Sequence, residues 1–352
     1  MMVSNRTLRW MLSGLLVFVN LGMSWAQDPQ FSQFYAAPLY LNPAFAGSTG
    51  QARVGMNYRN QWPSLEANFT TMSVYGDYFI EDKKSGVGFL VSRDVEGLAG
   101  LRSLQIAAQY SYELEINKNL GFRPGFQVAM FQRDINFGDL TFGDQFDPVT
   151  GNLRSSQSAE QFNTGFSKFF VDLSAGGIFF TRTAWLGVAA HHLNRPNQSL
   201  TNENSPLPIK YSLHGGFKFK MRPGVQGSGV YMRNTERSIS PAFQYRHQGQ
   251  FDQLDLGVYF TLEPLVFGAW YRGVPFKPVN GFVNNESIVF LLGFAQIGAK
   301  DAINIGYSFD YTISRLGIGS GGAHEFSLTY TWPMRNPRKP PADKLVIPCP
   351  DF

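Results

Sequence analysis

LQIAAQYSYELEI, residues 104–116, decides the fold. Leu104, Ile106, Ala108, Tyr110, Tyr112, Leu114 and Ile116 are apolar or aromatic, while Gln105, Gln109, Ser111, Glu113 and Glu115 fill most of the gaps. A period of two held this long is a strand with one greasy and one polar face. The pattern returns in LDLGVYFTL (254–262), INIGYSFDY (303–311) and FSLTYTW (326–332). Strands of soluble proteins usually run about 5 to 6 residues, whereas a tilted strand crossing a bilayer needs roughly 9 to 11. These segments are of the longer kind, and several end in Tyr, Phe or Trp, the rings that sit at headgroup level in membrane barrels.

Outward from these, strands are expected near 51–61, 68–80, 85–93, 102–116, 119–133, 167–181, 184–193, 209–220, 238–247, 252–262, 264–273, 286–298, 302–312 and 323–332. The fold expected is all-β, a transmembrane antiparallel barrel of about 14 strands. One more candidate, 225–234, would make the count odd, against the even number of bacterial single-chain barrels. Connections at Glu81 to Lys84, Asn117 and Lys118, Arg182 and Thr183, Glu263, and Gly298 to Asp301 are tight and fit the periplasmic side. Those at 134–166, 194–208, 274–285 and 313–322 are longer and fit the outside, while 221–237 is long where a short turn is expected. No repeat of 20 to 50 residues points to a propeller or solenoid. With greasy faces on lipid, Arg53, Arg59, Gln105, Gln109, Glu113, Arg123, Gln127, Arg133, Asp255, Asn304, Asp310 and Glu325 point into the lumen. A lining of both signs suits a water-filled channel or a lumen occupied by polypeptide.

The first residues set the compartment. Arg6 and Arg9, the apolar stretch Trp10 to Val19, and Ser24-Trp25-Ala26 read as a signal peptide, 1–26. A Pro- and Gln-bearing segment, 27–49, precedes the barrel, 50–332, and a Pro-rich tail, 333–352, follows it. Charged residues are 16% of the chain and aromatics 15%, which with export favours an outer-membrane address and contact with its lipid. The formal charge of +4 drops to +2 without the signal's two arginines, and Lys and Arg are not clustered as nucleic acid would require. Cys349 is single, so it is either an idle tail thiol or a packed or mixed-disulfide residue.

Catalytic patterns are missing. Histidines stand at 191, 192, 214, 247 and 324 without metal-ligand spacing, and the His191–His192 pair is expected to serve a strand end or loop, because adjacent strand residues face opposite ways. Asp139, Asp144 and Asp147 sit in GDLTFGDQFDPVTG, a solvated loop or, as an alternative, one stiffened by calcium. There is no GxSxG and no phosphate loop, and the glycines of 317–322 lead into a strand. The expectation is a non-enzyme without cofactor or metal.

QDPQFSQFYAAPLYLNPAFAG (27–47), YRNQW (58–62), HLNRPNQSL (192–200), YRHQGQFDQLDLGVYF (245–260), WYRG (270–273) and YSFDYTISRLGIGSGGAHEFSLTY (307–330) together resemble the PorP/SprF family of Bacteroidota outer-membrane proteins. The resemblance implies a barrel of about fourteen strands in type IX secretion and gliding, supporting export or surface anchoring of a secreted adhesin or similar cargo through its C-terminal sorting domain. Periplasmic secretion or motor components are the further partners it implies; a passive solute channel is the alternative. On that basis Asp139, Asp144, Asp147 and Arg154, with Arg195 and Asn197, form an expected cargo-contact face. The segment with Phe31, Phe34, Tyr35 and Asn42 either lies in the periplasm, as the tail from Pro333 would, or plugs the barrel. The named lumen residues are Arg53, Arg59, Glu113, Arg123, Arg133 and Asp310.

Overall fold

The computed structural model describes residues 28–135, 140–155, 158, 167–200, 204–221, 236–279, 282–297, 301–332 and 345–350. The expected signal peptide, Asp139, the candidate strand 225–234 and most of the tail lie outside these residues. The barrel staves are β1 (Ala52–Gln61), β2 (Phe69–Ile80), β3 (Ser85–Glu96), β4 (Leu101–Tyr112, continued by Leu114–Asn117), β5 (Leu120–Asp134), β6 (Ser167–Phe180) and β7 (Ala184–His191). They continue as β8 (Lys210–Phe217, continued by Phe219–Lys220), β9 (Arg237–Gln248), β10 (Phe251–Leu262), β11 (Leu265–Val279), β12 (Phe282–Ile297), β13 (Ala302–Thr312) and β14 (Ala323–Trp332). Each pairs antiparallel with its chain neighbours, and β1 pairs with β14 from Ala52↔Trp332 to Gln61↔Ala323, so the 14 strands close into a ring. Closure removes every sheet edge, which lipid demands because it offers no partner to a backbone N–H or C=O.

The alternation sorts side chains as a barrel requires. On β4, Ile106, Tyr110 and Tyr112 are exposed outward, whereas Gln105, Gln109 and Ser111 are buried inward. On β14, Phe326, Leu328 and Tyr330 face out while Glu325, Ser327 and Thr329 are buried. A soluble protein would hide the first set; here the apolar ring meets lipid tails and the polar set is enclosed.

An even stave count puts both ends of the ring's chain at one rim, the terminal end. The turns 81–84, 118–119, 181–183 and 263–264 all lie there, and the connections 135–166, 192–209 and 313–322 lie at the opposite, loop end. The connection from β8 to β9 is at the terminal end too, where the Met221 N–H donates to Arg237 O (2.8 Å). β8 and β9 are direct ladder neighbours, so the ring closes with no further stave between them.

Candidate functional site in the barrel lumen

The lumen holds the segment that precedes β1. Residues 28–50 run from the loop end back to the terminal end, and Phe31, Phe34, Tyr35, Leu39 and Phe45 are each at most 4% exposed. Full burial of each such side chain is worth about 1.5–3 kcal/mol. Local sequence shapes the path. Pro38 opens a helical turn, Pro38–Leu41, and Asn42 then caps a second turn, Pro43–Phe45, its Oδ1 accepting the Ala44 N–H at 3.0 Å. The Asn42 side-chain amide also donates to Val188 O of β7 (3.0 Å), tying the turn to the wall.

Glycines let this backbone lie flush on the sheet. A Cβ on Gly125 of β5 would stand 2.3 Å from Ala44 N and 2.5 Å from Ala44 Cα, and one on Gly86 of β3 would stand 1.9 Å from Ala46 O. Gly125→Val should therefore push the Pro43–Phe45 turn off the wall and destabilise the barrel by about 1–3 kcal/mol. A lower gel-shift temperature of the heat-modifiable form, with no change in the unheated band, is the expected result.

Three polar layers and one aromatic layer grip the plug. Nearest the terminal end, Arg53 is bidentate to Asp77 (2.8 and 3.1 Å), and Asp77 accepts the Gly47 N–H (2.8 Å). Beside it Arg123 pairs with Glu113 (2.7 Å) and donates to Ala46 O (2.8 Å). On the far wall Phe34 and Tyr35 pack with Trp185, Tyr259 and Trp270, and Trp185 Nε1 donates to the Tyr35 hydroxyl (2.8 Å). Leu345 and Ile347 of the tail are buried in this same cluster, and Cys349 packs against it. The described part of the tail thus lies inside the ring.

Toward the loop end Glu325 accepts the backbone N–H groups of Ser32 (2.6 Å) and Gln33 (2.9 Å). Ser32 Oγ donates to Asp310 (2.7 Å) and accepts from Arg59 (2.7 Å) and Arg272 (2.9 Å). Arg59 and Arg272 also bind Asp310 at 2.8 Å each, and Arg272 Nε reaches Asp255 at 2.6 Å. Arg133, partly buried, donates to Gln198 of the loop after β7.

The outermost layer is a clasp. Asp28 Oδ2 receives Lys210 Nζ (2.6 Å) and His192 Nε2 (2.7 Å), while His192 Nδ1 meets Asp172 (2.9 Å). Gln248 closes it, its amide donating to Asp28 Oδ1 (3.1 Å) and its carbonyl oxygen accepting the Asp28 N–H (3.0 Å). His191 and His192 do not face opposite ways: His192 lies past the end of β7 with φ 61°, and this left-handed turn brings both rings inward. Sequence reasoning gave this clasp no sign, since its five residues are spread over 28, 172, 192, 210 and 248.

Burial alone pulls His192 toward neutrality, but Asp28 and then Asp172 override it and push its pKa up to about 9. Burial likewise opposes the Asp28 charge, and His192 and Lys210 override it, holding that carboxyl well below its ordinary value. A raised pKa stabilises fully below the ordinary 6.5 and loses its effect as pH rises through about 9; the lowered Asp28 value stabilises above 3.8 and fails only in acid. His192→Gln should therefore lower the melting temperature near neutrality, and the gap to the parent protein should close once pH passes about 9.

The family model for the type IX secretion system membrane protein PorP/SprF matches residues 24–330. The chain belongs to the PorP/SprF family. No curated protein matches it. Among solved structures, this PorP/SprF barrel is similar to the outer membrane protein Omp33 of Acinetobacter baumannii, at 8% identity and TM-score 0.39 over 81% of this chain and 98% of that one. A FadL homologue of Pseudomonas aeruginosa gives 11% and 0.45 over 84% and 93%. The translocator domain of the autotransporter NalP from Neisseria meningitidis gives 8% and 0.35 over 81% and 88%. Likenesses this remote carry nothing about what the PorP/SprF barrel handles.

The expected cargo-contact residues lie in the loop-end connections, with divided duties. Asp147 caps its own turn, accepting from the Val149 (2.8 Å) and Thr150 (3.0 Å) N–H groups; the Thr150 bond, then the Val149 bond, lower its pKa. Asp144 accepts from Ser158 Oγ (2.7 Å), and Asn197 Oδ1 accepts the Ser199 (3.1 Å) and Ser205 (2.9 Å) N–H groups. These three side chains hold the loops in shape. Arg154 and Arg195 are exposed to solvent, as is the apolar tip formed by Val149 and Leu153.

Proposed function

We propose that this outer-membrane barrel of the type IX secretion system supports export or surface anchoring of a secreted protein, held at the loop end through that protein's C-terminal domain. The observation that carries the reading is the filled lumen. Residues 28–50 and 345–350 occupy its interior with buried aromatic rings and ion pairs, which works against a passive solute channel and favours a docking platform. All terminal-end turns but the 221–236 connection are short, while 135–166 and 192–209 at the loop end are long, which favours a loop end that faces outward. Arg154, Arg195 and the exposed Val149 and Leu153 supply charge and apolar surface there. The proposed role is non-enzymatic and needs no cofactor.

Affinity capture of the barrel from native membranes tests this reading. A secreted protein with a C-terminal sorting domain should co-purify, and excising 140–155 should lose it while the barrel still folds by gel mobility. Recovery of that protein unchanged after the excision would remove the loop from the docking face. Recovery of motor or periplasmic ring components alone would place the barrel in the core machine instead.

A further inference from the structure

Above residues 28–30 of the plug, a chamber of about 360 Å³ opens at the loop end against β1, β2 and β3. Trp62, Phe69 and Phe251 give it aromatic surface, and Trp62 meets Phe69 edge to face at 5.4 Å. Thr71, Asp94 and Glu96 line the adjoining wall. The other charges at its border are matched: Arg59 to Asp310 and Glu325, Asp28 to His192 and Lys210.

Asp94 and Glu96 differ from every such group. They stand two residues apart on the lumen face of β3, and no lysine, arginine or histidine among the described residues forms an ion pair with either. Asp94 is 4% exposed; its Oδ1 accepts from Thr71 Oγ1 at 2.5 Å, while its buried Oδ2 has only the Glu96 carboxyl for company. Arg133 attracts both carboxyls through space but forms no ion pair with either, its hydrogen bond going to Gln198. Two carboxyls this close, one buried with an oxygen that no donor reaches and the other half-buried, make a place that favours a further cation beside them. No three metal-ligating side chains converge among the described residues, whereas ring faces at the chamber wall attract organic cations.

We propose that this chamber binds the ammonium or guanidinium group of a lysine or arginine on the exported polypeptide, with Asp94 and Glu96 taking the charge and Trp62 and Phe69 flanking the stem. The occupant rests on the function proposed above; the site itself does not. A side chain inserted here lies over the plug's first residues, so it touches both the wall and the segment that closes the lumen.

The test uses the full barrel in detergent with its plug intact, titrated with N-acetyl-lysine methylamide, N-acetyl-arginine methylamide and N-acetyl-norleucine methylamide while tryptophan emission is followed. Trp62→Phe isolates the signal of that ring. Saturable responses to the two cationic probes and none to norleucine are expected, and Asp94→Asn or Glu96→Gln should weaken them roughly tenfold. Equal response to norleucine, or cationic binding unchanged in the D94N/E96Q double variant with normal heat stability, would overturn the site without touching the barrel's role in secretion. Cargo display in the same variants reads the occupant: lost display supports it, and full display with probe binding abolished would overturn it.

Discussion

Removing residues 28–46 should turn a silent barrel into a conducting one. The plug's five largest buried side chains and its contacts with Glu325, Asp310 and Arg123 leave with the deletion, and the polar wall they covered becomes a water path. Single-channel currents in planar bilayers should rise at least about tenfold over the parent protein, whose lumen is filled. The heat-modifiable gel shift separates an open ring from a collapsed one. Persistent silence in a deletion variant that still shows that shift would mean that other parts of the chain close the lumen without the plug.

Arg272→Ala should cost more stability than any other single replacement in the lumen. Its guanidinium is 1% exposed and joins Asp255, Asp310 and Ser32, so truncation leaves Asp310 to Arg59 and Asp255 to Arg246, each short of one counter-charge in a dry interior. Breaking a buried pair on one side costs about 3–5 kcal/mol. Unfolding in urea, followed by gel mobility, should show that loss, and adding Asp310→Asn should restore part of it by removing one under-compensated charge. A midpoint within experimental scatter of the parent protein would show that Arg59 and Arg246 alone suffice for Asp310 and Asp255.

The staves were legible because two independent signals agreed along them: a period of two, and lengths suited to a bilayer. In 104–116 the alternating face alone separates Ile106 and Tyr110 from Gln105 and Gln109, and the barrel keeps that separation. The plug's course was not legible. Residues 27–49 have no period, and what fixes them is a set of partners such as Glu325, 293 positions from Ser32, that no local pattern connects. His192 escaped for a different reason: strand logic turned it outward, and a single positive φ past the strand's end turned it in. The double carboxyl at Asp94 and Glu96 lay past the end of the expected strand 85–93, and its lack of an ion pair became visible only once the strand was seen to run on to Glu96 and the neighbouring arginines to be engaged elsewhere.

The plug's direction of travel decides where its leading end emerges. Asp28 rests beside His192 and Lys210 at the loop end, yet the chain then descends the whole lumen before β1 begins at Ala52. The seam that seals the cylinder joins the first stave to the last. The leading residues and that seam are thus parts of one closing structure, the segment lying along the wall that the seam completes. Whatever is fused ahead of Asp28 emerges at the loop end, on the opposite side of the bilayer from the start of β1, so a bulky folded tag there would have to cross the barrel or the membrane.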